Sequence, residues 1–156
     1  MQLGFRSRVR HPLYPGLGAI PAVEATGECA VLCGSFEELE KAAAAGARPL
    51  RAVYALNSPN DPFLSDFQRD ALWEKFEVPV FVLVVDARKR VLAFECEAQE
   101  GLHVATDLEL NVPALWDFSP CECGRPGHRI LPVQRKPAAS AAELSREGAG
   151  SVAVVR

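Results

Sequence analysis

A chain of 156 residues that is 49% hydrophobic can bury one sizeable core, so a single domain is expected. Its formal charge of -3 leaves no basic footprint for nucleic acid, and its 8% of aromatic residues do not alternate with basic runs as a base-stacking surface requires. The longest apolar run, Val78 to Val85, contains Pro79 and is far shorter than the roughly 18–20 residues that cross a bilayer, so no membrane partner is expected.

The opening MQLGFRSRVRHPLYPG carries Arg6, Arg8 and Arg10 among short apolar stretches and does not read as a secretory signal, which points to a cytoplasmic protein with reduced thiols. The first legible element is the apolar run of residues 29–33, CAVLC, a short strand. Ser35 then stands as a helix N-cap with Glu38 three residues on, a capping-box spacing. That helix is expected to reach about Ala45, with Phe36, Leu39 and Ala43 inward and Gly46 as the stop. Leu50 to Leu56 is rich in strand formers and completes a β-α-β unit. After the turn-rich NSPNDP, Ser65 and Gln68 cap a second helix reaching about Phe76, with Phe67, Ala71, Leu72 and Phe76 as its inward residues. PVFVLVV reads as a strand covered on both faces, and DARKR turns it into VLAFECEA as an antiparallel hairpin.

These elements predict an α/β fold. A small β-α-β-α-β sheet, largely parallel, ends in an antiparallel hairpin and a zinc-clasped turn. Residues 1–136 form the domain, with the zinc-binding segment at 94–130, and the Ala-, Ser-, Glu- and Gly-rich stretch 137–156 is expected to be a flexible tail.

The chemistry concentrates in ECEAQEGLHV and PCECGRPGHRI. Cys96 and His103 follow a C-x6-H spacing, and Cys121 and Cys123 a C-x-C spacing, which together offer three thiolates and one imidazole, the donor set of a closed structural zinc site. Five cysteines are an odd count, and in a reducing compartment grouped cysteines near a histidine point to a metal rather than to disulfides. The competing reading is buried free cysteine. His128 is an alternative ligand that would replace one thiolate. Cys29 and Cys33 are expected in the core, on the same face of their strand but too far apart for one ion. His11, His103 and His128 invite a nucleophilic dyad with a cysteine, but no orienting third residue can be placed. Arg125 and Arg129 are expected on a solvated surface beside the site, and Glu95, Glu97, Glu100 and Asp107 are expected to face solvent.

The stretch from Val31 to Leu131 resembles a segment of the phenylacetate-coenzyme A ligase family of AMP-forming enzymes. The text that carries this is GSFEELEKAAAAGA, RPLRAVYALN, FQRDALWEKFEVPVF, LAFECEAQEGLHV and PCECGRPGHRI, of which the last two are the most specific. The resemblance implies a ligase-core fold and, in some members, zinc held by this Cys/His set. It also implies phosphate-handling parts that are not matched here. GLGAIPAVEATGE supplies neither the hydroxyl run nor the lysine of a phosphate loop. The family's Tyr-Gly-x-x-Glu falls on Val84, Val85 and Arg88, and a guanidinium cannot coordinate Mg²⁺. The ribose-binding motif has no clear counterpart, since Asp117 lies too near Cys121 to be carried over, and the C-terminal lid is not matched.

The expected function is therefore a non-catalytic zinc-binding protein resembling a fragment of an adenylate-forming ligase. It would act as an interaction module or accessory subunit for another protein or a second copy of itself. The alternatives are a residual nucleotide- or acyl-CoA-binding protein, a ligase-related enzyme subunit, and a redox thiol protein using Cys121 and Cys123.

Overall fold

The computed structural model describes residues 9–133, and the tail expected over 137–156 lies outside them. The strands are β1 (Val9–His11), β2 (Tyr14–Pro21), β3 (Glu28–Gly34), β4 (Arg48–Asn57), β5 (Val80–Val85), β6 (Val91–Glu95), β7 (Leu102–Val104), β8 (Ala114–Asp117) and β9 (Arg129–Pro132), and the helices are α1 (Phe36–Ala44) and α2 (Asp66–Phe76). The nine strands of the described residues lie in one sheet, in the order β1-β2-β3-β4-β5-β6-β7-β9-β8. Among the described residues no helix is long and apolar enough to cross a membrane.

The sheet is mixed rather than largely parallel. β2 to β5 run parallel, while β1 against β2 and every pairing from β5 to the far edge at β8 are antiparallel. α1 and α2 provide the crossovers between β3, β4 and β5, the segment with the 3-10 turn Ala22–Glu24 carries the chain from β2 to its parallel neighbour β3, and the short link from β5 to β6 reverses the chain.

Both helices begin where local chemistry predicts. Ser35 Oγ accepts from the Glu38 N–H at 3.3 Å while Glu38 Oε2 accepts from the Ser35 N–H at 2.8 Å. Ser65 and Gln68 repeat the exchange at 3.2 and 3.0 Å. Each cap satisfies N–H groups that the first helical turn leaves without partners and contributes about 1 kcal/mol. At the other end of α1, Gly46 takes φ +86°, a conformation that costs glycine little.

One face of the sheet is covered by α1, α2 and a 3-10 turn at Ala22–Glu24, so that Leu39, Leu72 and Phe76 pack on Leu32, Val53, Val82 and Val84. Phe67, expected inward, is 81% exposed. At 100° per residue it lies about 140° round α2 from Leu72 and diametrically opposite Phe76, so the stripe those two define excludes it.

The opposite face gathers Val9, Ala19, Val31, Cys33, Tyr54, Leu83 and Phe94. Cys33 belongs to this cluster, whereas Cys29 packs against the helical face. The shared face expected for them is interrupted where the register of β3 on β4 shifts, two steps from Cys29 to Val31 lying against three from Pro49 to Ala52.

The sheet curls until β1 lies against β6. There the wholly buried His11 accepts from the Leu13 N–H at Nδ1 (3.1 Å) and donates from Nε2 to the Glu95 carbonyl (2.8 Å). The rings of Tyr14, Tyr54, Phe81 and Phe94 surround it at 5.2–5.8 Å. An imidazole that accepts at one nitrogen and donates at the other is neutral, and burial pulls its pKa below the usual histidine value.

As pH falls from about 6.5 towards that depressed value, the unfolded chain takes up a proton that the folded chain refuses, so stability declines over this window by up to about 1.4 kcal/mol per pH unit. Urea titrations across the window are expected to show this slope, and His11→Gln, which removes this titrating group, is expected to reduce it.

Candidate metal centre

Cys96 leaves the end of β6 at a point held from several sides. The carboxylate of Glu95, immediately before it, accepts from Arg69 Nη2 and Nη1 at 2.6 and 3.0 Å and from the Val82 N–H at 2.7 Å, while its carbonyl accepts from His11. Glu95 is therefore buried at 5% exposure rather than solvent-facing. A bidentate guanidinium and a backbone donor compensate the lost hydration. Glu97, Glu100 and Asp107 are exposed as expected.

The chain then turns back, with the Gln99 N–H donating to the Cys96 carbonyl at 3.0 Å and Gln99 at φ 54°. The Ala98 N–H points at the Cys96 thiol. Gly101 follows at φ +98°, where a Cβ would lie 2.7 Å from Leu131 Cδ2 and 2.8 Å from the Ile130 carbonyl oxygen. β7 next carries His103, opposite Phe94 of β6 and Arg129 of β9, with its ring stacked on that of Phe94 at 5.5 Å.

The other two cysteines sit in the loop of the β8–β9 hairpin. The Pro- and Gly-rich composition of residues 111–137 suggests a segment that buries little, but its described part, to 133, contains these two paired strands and places Ile130 in the core. Within the loop the Gly124 N–H donates to the Cys121 carbonyl at 2.9 Å, and the Arg125 N–H points at the Cys123 thiol. Two turns thus repeat one device: a cysteine followed two residues on by an N–H aimed at its sulfur. Such donors favour thiolate over thiol.

The four side chains converge. Cys96 Sγ and Cys121 Sγ lie 3.6 Å apart, Cys123 Sγ and His103 Nε2 lie 3.4 Å apart, and all four ligand atoms fall within 4.8 Å of one another. A tetrahedral ion about 2.3 Å from sulfur and 2.0 Å from nitrogen requires edges of about 3.5–3.8 Å. These two separations lie within about 0.1 Å of that range, and the sulfur separation exceeds a disulfide bond of about 2.05 Å. Cys96, His103 and Cys121 are buried and Cys123 is half-buried, so four donors enclose a space largely closed to water. The cluster can hold a metal ion.

The electrostatics suit a cation. Burial pushes the Cys96 thiol up to about 11, so a thiolate there needs a positive neighbour. At Cys123 burial acts upward as well, but donors from the Arg125 backbone, Cys121 and the Arg125 side chain outweigh it and bring the thiol down to about 7. Burial, then the charges of Arg129 and Arg125, lower His103 and hold its imidazole in the neutral, ligating form.

Arg129, expected on the surface, is 4% exposed. It stands on β9 between β7 and β8 and donates to the Glu100 carbonyl at 2.7 Å, to Asp117 Oδ2 at 2.6 Å and to Ser119 Oγ at 3.3 Å. Arg125 ties the two cysteine turns together through Glu97 at 2.9 Å. Sequence reasoning missed the Arg129–Asp117 pair, for which the available signal was a charged residue opening the apolar run RIL. His128 is exposed, lies against Trp116 and Phe118, and stands apart from the four-residue cluster, as do Cys29 and Cys33.

No known protein-family model matches the chain, and no curated protein matches it. The site is therefore read from its own residues.

Gly101 is expected to be the sensitive glycine of this region. Gly101→Ala combines left-handed strain with collision against β9 and should cost about 2–4 kcal/mol. Gly124→Ala, where nothing lies within 4 Å of the added carbon, should cost about 1 kcal/mol. Chemical denaturation of the two variants beside the parent protein checks the ranking.

Proposed function

We propose that this chain is a non-catalytic zinc-binding protein in which the ion clasps the β6–β7 connection to the β8–β9 hairpin. The observation that carries the reading is the convergence of Cys96, His103, Cys121 and Cys123 within 4.8 Å. Three soft thiolates and an imidazole in tetrahedral array favour Zn²⁺ over harder divalent ions. Four protein donors complete its coordination, whereas a catalytic zinc keeps one position for water or substrate. Three thiolates around a dication leave one net negative charge, which Arg125 and Arg129 offset. Thiol ligands of this kind persist in a reducing compartment such as the cytoplasm.

Absence of nucleotide chemistry fits the rest of the molecule. Ligands of open parallel sheets bind beyond the carboxyl ends of the strands. Here, among the described residues, the crevices at that end of β3, β4 and β5 are bordered by Glu37, Glu38, Asp61 and Asp86 against the single cation Lys89. The Ser35–Glu38 capping box also occupies N–H groups that would otherwise meet a phosphate. In the ligase-core reading, Arg88 stands where the family's magnesium-binding glutamate would be, and it is exposed in the β5–β6 turn.

The clasped hairpin is also the proposed interaction surface. Leu115 and Phe118 are largely exposed and Trp116 half so, on or beside β8, the outermost strand of its side of the sheet. Among the described residues β8 is an edge strand with exposed aromatic side chains, which suits a protein partner. Light scattering separates self-association from a second protein species.

A cleft of about 690 Å³ lined by Phe36, Phe63, Phe67, Val112, Pro113 and Val133 carries a second reading, an accessory protein that binds an acyl group or nucleotide. A thermal shift with coenzyme A, ATP or AMP at millimolar concentration supports it, and no shift with any of them removes it.

Protein purified without added zinc is expected to contain about one equivalent of the ion by elemental analysis. Chelation should lower its melting temperature, and Cys96→Ser should reduce both metal content and stability. Less than about half an equivalent, together with normal folding of Cys96→Ser, would overturn the zinc reading.

A further inference from the structure

We infer that the metal clasp is peroxide-sensitive: oxidation begins at Cys123, closes a Cys96–Cys123 disulfide and releases the ion. The inference rests on the zinc reading above and adds its regulation. Its basis is the unequal access of the four ligands, since Cys96, His103 and Cys121 are 1%, 4% and 6% exposed whereas Cys123 is only half-buried. A small oxidant meets the Cys123 sulfur first.

Geometry then selects the second sulfur. Cys121 is separated from Cys123 by a single residue, within one tight turn, and a bridge between them would strain the disulfide dihedral. Cys96 comes from a different segment, and its sulfur lies within 4.8 Å of that of Cys123. In the first step the Cys123 thiolate attacks one oxygen of hydrogen peroxide, the O–O bond breaks, and the departing hydroxide takes a proton to become water. In the second, the Cys96 thiolate attacks the resulting sulfenic sulfur, forms the S–S bond and expels hydroxide, which is also protonated. The two thiolates lose two electrons and the peroxide gains them. Only Cys121 and His103 then remain as protein ligands, too few to retain a structural ion.

The disulfide joins the same two segments that the ion joined. The hairpin stays attached after the metal leaves, and a thiol reductant with added zinc restores the starting state.

The test adds hydrogen peroxide to the zinc-loaded full chain, follows released zinc with a chromogenic chelator, and maps cross-linked peptides by mass spectrometry. The expected result is about one equivalent of zinc released per equivalent of peroxide consumed, a Cys96–Cys123 peptide two hydrogens lighter than its reduced form, and recovery with dithiothreitol and zinc. Cys29→Ser should release zinc as the parent does, and Cys123→Ser should release it at least tenfold more slowly. Where Cys123→Ser fails to load metal, the peptide map of the parent decides. Retention of zinc through a large peroxide excess, or release with no Cys96–Cys123 cross-link, overturns the inference and leaves the zinc reading standing. A parent chain that binds no zinc overturns both.

Discussion

The carboxylate of Glu95 is where the separate parts of this molecule meet. It receives both guanidinium nitrogens of Arg69 from α2 and the Val82 N–H from the neighbouring strand, while the same residue's carbonyl receives His11 from the N-terminal hairpin. A carboxylate this deeply buried is tolerated only while its partners remain, since removal of one partner from a buried ion pair costs about 3–5 kcal/mol. The pair therefore imposes a geometry. Helix, strand and hairpin must each stand in one position for the charge to be satisfied, and the next residue, Cys96, inherits that precision.

The second half of the sheet depends on polar chemistry more than the first. β2 to β5 are covered by helices on one face and by the inward curl of the N-terminal hairpin on the other, with ample aliphatic contact. β7 and β9 contribute few buried apolar side chains, chiefly Leu102 and Ile130. Around them stand Arg129 with Asp117 and the Glu100 carbonyl, Arg125 with Glu97, and the four soft donors. A small region that cannot gain enough from burial gains order from directional bonds instead, the usual solution where the core is thin.

What could be read from the amino-acid order followed from how local each cause is. The capping boxes at Ser35 and Ser65 were legible because cap and partner are three residues apart. The four soft donors were legible because ligand chemistry is carried by residue type, and few other arrangements suit three cysteines and a histidine. β2 was not legible, because YPGLGAIP has the composition of a loop and becomes a strand through its neighbours. The different packing of Cys29 and Cys33 accompanies a register shift of β3 on β4, a property of the pairing rather than of either residue. Burial of Glu95 and Arg129 depends on partners 26 and 12 residues distant, which no local pattern reports.

The contact between His11 and Glu95 bears on how the chain reaches this state. It joins residues 84 apart, whereas the Arg69–Glu95 and Cys96–Cys121 contacts span 26 and 25. Closing the longer loop from an open chain costs about 1 kcal/mol more in entropy than closing either shorter one, and it has no acceptor until β6 is in place. The pairings of β1 with β2 and of β2 with β3 span 12 residues or fewer, so once they form they shorten the loop that the His11–Glu95 bond must close.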